Sequence, residues 1–140
     1  MSSPLDFGAP SDFRQWYPLQ REAFEWALSQ SKRHCGLALP TGTGKSLCAY
    51  LLAKTLGLRT VILTSRIGLA HQYTDTFDSD PDLAELHGWR NYPSKAEYGA
   101  ALEKAQASRI VVRNYAYYLL AEAYGKRLNA QLLICDVAAE

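Results

Sequence analysis

The sequence predicts an α/β fold, a parallel sheet with helices on both faces. Two observations carry that prediction. Short apolar runs rich in Leu, Ile and Val recur at 35–39, 60–64, 109–113 and 131–136. Between them lie longer stretches in which apolar residues return at helical spacing. Strands that are apolar on both faces and alternate with helices belong in the middle of a parallel sheet.

The elements follow in order. Residues 1–12 carry Ser, Pro, Gly and Asp and read as a loose lead-in to a single lobe over 13–140. Pro18 suits the first turn of a helix running to about residue 31, which sets Gln20, Ala23, Phe24, Ala27 and Leu28 on one face. The strand 35–39 follows, then a glycine turn and a second helix. That helix places Leu47, Cys48, Leu51, Leu52, Thr55 and Leu56 on one face and stops at Gly57. Strand 60–64 leads to a helix over 67–77. Residues 78–94, dense in Asp, Pro, Gly and Asn, read as a loop. An alanine-rich helix over 95–107, a strand over 109–113, a helix over 115–124 and a strand over 131–136 complete the chain.

The stretch Leu37-Ala-Leu-Pro-Thr-Gly-Thr-Gly-Lys-Ser46 carries the most chemistry. A strand, a glycine turn and a helix opening with lysine and a hydroxyl suit a nucleoside triphosphate. Backbone N–H groups of Thr41, Gly42, Thr43 and Gly44 would form an anion nest at a helix N-terminus. Lys45 would reach the terminal phosphates, and Ser46 would ligate Mg2+. Leu39 stands where the strict Walker A pattern has its first glycine. The strand 131–136 ends in Asp136, which beside such a loop suits the magnesium of Mg·ATP.

Taken together, these motifs resemble the first RecA-like lobe of a superfamily-two helicase, a P-loop NTPase. The likeness is nearest the XPD/DinG type and its phage relatives. Tyr17-Pro-Leu-Gln-Arg-Glu-Ala23 resembles the helix ahead of the loop, and the resemblance implies that Gln20 reads the adenine. Thr64-Ser-Arg66 resembles motif Ia and implies backbone contacts to single-stranded DNA by Ser65 and Arg66. His87-Gly-Trp-Arg-Asn-Tyr-Pro-Ser94 resembles the opening of the iron–sulfur segment. Ile110-Val-Val-Arg-Asn-Tyr-Ala-Tyr117 resembles the strand after that segment, which adds Arg113 and Asn114 to the nucleic-acid set. Leu132-Leu-Ile-Cys-Asp-Val-Ala-Ala139 falls at motif II.

The departures shape the expectation. Ser94 replaces the first cluster cysteine, and no cysteine lies between Cys48 and Cys135, so no iron–sulfur cluster is expected. Residues 94–98 read as a splice across a missing cluster segment. Val137 stands at the motif II glutamate, where a valine neither takes a proton nor orients water. Ala139 replaces the coupling histidine. The lobe is expected to be truncated after motif II, without the second lobe and its arginine finger. A strand that the family's sheet places between the P-loop strand and the motif II strand is missing too, so either the sheet closes differently or a second lobe or partner chain completes it.

The function that follows is an ATP-binding lobe of a DNA helicase or translocase that hydrolyses ATP weakly or not at all in isolation. A non-catalytic interaction module that keeps the fold, acting on a helicase or on single strands, is the alternative. For that module Arg66, Arg90 and Arg113 interleave with Tyr92, Tyr115, Tyr117 and Tyr118. A nucleotide kinase shares the loop but would need an arginine-rich lid.

With 15 basic and 14 acidic residues the net charge is +1, so no global field draws nucleic acid and any such contact is local. The composition, 48% hydrophobic and 21% charged, suits one globular domain. Cys35, Cys48 and Cys135 read as small buried hydrophobes of a reducing compartment. No signal peptide or membrane-spanning run is seen, and a cytoplasmic protein without a membrane partner is expected. His34, His71 and His87 are not spaced as a metal site and receive no chemistry. Asp75, Asp78, Asp80 and Asp82 read as a solvated acidic loop without the glycine and glutamate of a calcium loop.

Overall fold

The computed structural model describes residues 3–30, 45–65, 67–114 and 130–136. By their contacts they form two compact units, one running to Gly57 and one from Leu58 onward. The strand expected at 35–39, loop residues 40–44, Arg66, the helix expected at 115–124, Val137 and Ala139 lie outside the described residues.

In the first unit the lead-in carries its own structure. A 3₁₀ turn spans Pro4–Phe7, and Ser3 N–H donates to Asp6 Oδ2 at 2.9 Å. Phe7 meets Phe24 edge-on at 4.9 Å between ring centres, and Trp16 stacks on Phe24 at 5.5 Å. Three aromatic rings hold the segment that its polar composition suggested would be loose.

Helix α1 spans Gln20–Ser29 and helix α2 spans Lys45–Leu56, and the two pack together. Gln20, Ala23 and Phe24 are buried from α1. From α2 the buried residues are Leu47, Cys48, Tyr50, Leu51 and Ala53, whereas Thr55 and Leu56 are exposed. The buried stripe is thus wider at the start of α2 and ends a turn earlier than apolar spacing suggests. Gly57 has φ +65°, and its N–H returns to Ala53 O at 3.1 Å, a left-handed stop that glycine makes without strain.

Leu19 precedes α1 with φ +68°, the one non-glycine residue described in the left-handed region, and is 54% exposed. For a leucine that conformation costs about 1–2 kcal/mol, and asparagine tolerates it better. Leu19→Asn is therefore expected to stabilise the protein by about 1 kcal/mol. Differential scanning calorimetry should show Tm rising by roughly 3 °C.

The second unit is a four-stranded, all-parallel sheet. Its strands are β1 (Thr60–Thr64), β2 (Leu83–Leu86), β3 (Ile110–Asn114) and β4 (Leu132–Asp136), in the order β2-β3-β1-β4. Helix α3 (Ile67–Thr76) follows β1, and helix α4 (Lys95–Ala107) lies between β2 and β3 in sequence. Every residue of β1 is buried, as both faces of a central parallel strand should be.

Alternation separates the faces. Val61, Leu63, Leu86 and Val111 share one face with Ala105 of α4, where Tyr98, Ala101 and Leu102 also pack. Ile62, Glu85, Val112, Asn114 and Asp136 fall on the other, where α3 contacts β1, β2 and β3.

Strand β2 lies inside the stretch read as a loop, which is a correction. Only four residues long, it is framed by turn formers on both sides. Asp82 N–H bonds Asp80 Oδ1 at 2.8 Å, and Gly88 follows two residues past the strand. Pairing with β3, and burial of Leu83, Ala84 and Leu86, outweigh the local turn signals. A short 3₁₀ turn at Trp89–Asn91 follows. Ser94, at the position of the family's cluster cysteine, is the N-cap of α4 and accepts Glu97 N–H at 3.2 Å. No described helix is long and apolar enough to cross a membrane.

Candidate functional site

Lys45 and Ser46 form the first turn of α2 and are partly exposed. No acidic residue occupies that turn, so nothing in the helix's own first turn counters the positive end of its dipole. Thr41, Gly42, Thr43 and Gly44 lie outside the described residues.

Gln20 is 1% exposed. Its Oε1 accepts Tyr17 N–H at 2.9 Å, and its backbone carbonyl accepts the Cys48 thiol at 3.6 Å. The side chain therefore closes the start of α1, and the backbone carbonyl ties it to α2, within the first unit.

In the second unit the chemistry gathers at the carboxyl ends of the strands, where open parallel sheets bind ligands. Thr64 stands in register between Asn114 and Asp136. Asp136 Oδ2 accepts the Tyr73 hydroxyl at 2.5 Å, and Tyr73 is fully buried on α3. A fixed phenol thus orients the carboxylate at the end of β4. Asn114 Nδ2 donates to Ser65 O at 3.5 Å, joining the ends of β1 and β3.

The family resemblance places Arg113 and Asn114 on one nucleic-acid surface. As neighbours in a strand they point to opposite faces. Asn114 is partly exposed, whereas Arg113 falls on the α4 face and is 5% exposed. The guanidinium is not presented to solvent. Ser65 is exposed beside Asn114, and Arg66 lies outside the described residues.

The cysteines also divide. Cys48 is buried, and that burial pushes its pKa up to about 11 from 9.0. Cys135, read as a buried hydrophobe, is exposed. It lies on β4, which pairs with β1 on one side and with no other described strand. A thiol titrating near 11 carries about one hundredth of the thiolate it would carry at a pKa of 9. Timed alkylation of the native protein at pH 8, read by peptide mass spectrometry, should label Cys135 at least about tenfold faster than Cys48.

One cluster escaped the spacing argument altogether. His71 Nδ1 is 2.6 Å from Glu85 Oε2, and His87 Nε2 bonds the same oxygen. Thr74 Oγ1 donates to Glu85 Oε1 at 2.6 Å, and His87 N–H donates to Tyr92 Oη at 3.1 Å. Burial alone would raise the Glu85 pKa. The hydrogen bonds from His87 and Thr74 and the charge of both imidazoles outweigh it and hold the carboxyl below its ordinary value. The sequence signal is Glu85-x-His87, an alternation that carries meaning only once Leu83–Leu86 is a strand with His87 directly after it.

A family model described as the type III restriction enzyme, res subunit, matches residues 14–136, most of the chain. No curated protein and no solved structure matches it.

Proposed function

Because the chain belongs to the family of the type III restriction enzyme res subunit, with its helicase-type P-loop fold, we propose that it binds Mg·ATP and, in isolation, turns it over weakly or not at all. One observation carries the reading: Lys45 and Ser46 open α2 directly after Thr41-Gly-Thr-Gly44. Lys45 takes the terminal phosphates, Ser46 takes magnesium, and the loop amides take the remaining phosphate oxygens.

Asp136 takes the second protein position on magnesium, directly or through water, with Tyr73 orienting it. Val137 follows at the place where the family's glutamate activates water. With no side-chain base there, turnover is slow. Gln20 is left out of this reading, since its amide already serves the start of α1.

Single-stranded DNA is the proposed track, met by Ser65 and Asn114 at the ends of β1 and β3. The finer likeness to XPD/DinG-type helicases rests on the runs His87 to Ser94 and Ile110 to Tyr117. A second lobe or partner chain is proposed to cover β4, whose Leu133 is 45% exposed. A cytoplasmic setting belongs to the same reading.

The test is thermal unfolding of the full chain with Mg·ATP and with ATP in EDTA. Saturating Mg·ATP at about 100 times Kd adds roughly 2.7 kcal/mol. A folded chain whose unfolding is unmoved by millimolar Mg·ATP would instead be the interaction module.

A further inference from the structure

We propose that His71, Glu85 and His87 bind one divalent transition-metal ion of the zinc class, through His71 Nδ1, Glu85 Oε2 and His87 Nε2. The three donor atoms lie within 4.8 Å of one another. Ligands about 2.0–2.2 Å from one tetrahedral zinc are themselves about 3.3–3.5 Å apart. Both imidazole nitrogens now sit at hydrogen-bonding distance from Glu85 Oε2, so an ion would have to move each outward to that spacing.

The donor set selects the metal. Two imidazoles and one carboxylate suit Zn2+, Co2+, Ni2+ or Cu2+, whereas Mg2+ prefers oxygen donors and keeps its water. The site is thus chemically distinct from the magnesium proposed for the nucleotide, and it uses none of Lys45, Ser46 or Asp136.

The framework is set before any ion arrives. Glu85 is on β2, His87 follows the end of that strand, and His71 comes from α3, which packs on β2 and β3. The Thr74 hydroxyl on Glu85 Oε1 turns Oε2 toward the two rings. The Tyr92 hydroxyl holds the His87 backbone.

Burial is graded. The side chains of His87 and Glu85 are 8% and 14% exposed, and that of His71 is 57% exposed. An ion would enter past His71 and keep an open position for water on that side. His87 Nδ1 is buried and has no hydrogen-bond partner among the described residues. Without an ion Nε2–H donates to Glu85 Oε2, and the unpartnered Nδ1 can take the ring proton in its place, which frees the Nε2 lone pair for a metal.

The bland alternative is a hydrogen-bonded network that only fastens α3 to β2. Stoichiometric metal distinguishes the two. The full chain, freed of affinity tags and stripped with a chelator, is titrated with Zn2+ at pH 7.5 against a chromophoric competitor. One zinc per chain is expected, undisturbed by millimolar Mg2+. Co2+ in its place should give the intense visible bands of a four-coordinate ion.

His71→Ala should weaken zinc at least about 100-fold, and its exposed side chain keeps the fold out of question, as circular dichroism will check. Glu85→Gln keeps the shape, removes the charge and should weaken zinc similarly. Zinc binding below one per chain, or affinity unchanged in both variants, overturns the proposal.

Discussion

Lys45→Ala is expected to remove about half or more of the thermal stabilisation that Mg·ATP gives the chain. The residue opens α2 and is partly exposed, so the unliganded protein should unfold at nearly its original temperature. What is lost is a charge-assisted contact to phosphate, worth about 1.5–3 kcal/mol. That is roughly 10- to 150-fold in Kd. At a ligand concentration that gives the parent protein about 2.7 kcal/mol, the variant would retain about 0.3–1.4 kcal/mol. An equal shift in parent and variant would detach Lys45 from the phosphates.

Ile62→Ala is expected to have the largest effect on folding. Ile62 is fully buried at the centre of β1, in register with Val112 on one side and Ile134 on the other. Truncating it leaves a cavity that the flanking strands cannot collapse into, at a cost of about 2–5 kcal/mol. Against a total of about 5–15 kcal/mol, that change alone brings the domain near its limit. Urea unfolding should show a lower midpoint with the slope preserved. Leu133→Ala on β4 provides the contrast. At 45% exposure it should cost less than about 1 kcal/mol in the same assay.

The contrast between these strands shows what local sequence can convey. β1, β3 and β4 are legible because a run such as Thr-Val-Ile-Leu-Thr has no other stable place than a sheet. The helix Lys95–Ala107 is legible from its alanine-rich run, while the cap that Ser94 makes on Glu97 N–H shows only in the structure. β2 is not legible. Leu-Ala-Glu-Leu gains its strand from pairing with β3, a partner more than 20 positions away, while its neighbours Pro81, Asp82 and Gly88 all favour turns.

The site followed the same division. The loop and its lysine are contiguous, so their chemistry can be read in a line. Arg113 could not be placed from the motif alone, because one step along a strand decides between solvent and core. The His71, Glu85 and His87 cluster was hidden for a related reason. Its members come together only when α3 folds back over β2, and no spacing rule connects residue 71 to residue 87.

The central claim is that this fold holds Mg·ATP, and isothermal titration calorimetry of the full chain tests it most directly. Mg·ATP titrated into the protein should give a saturable isotherm with one site per chain, and EDTA should weaken it at least about tenfold. Absence of saturable heat up to millimolar Mg·ATP, from protein shown to be folded, would contradict the account.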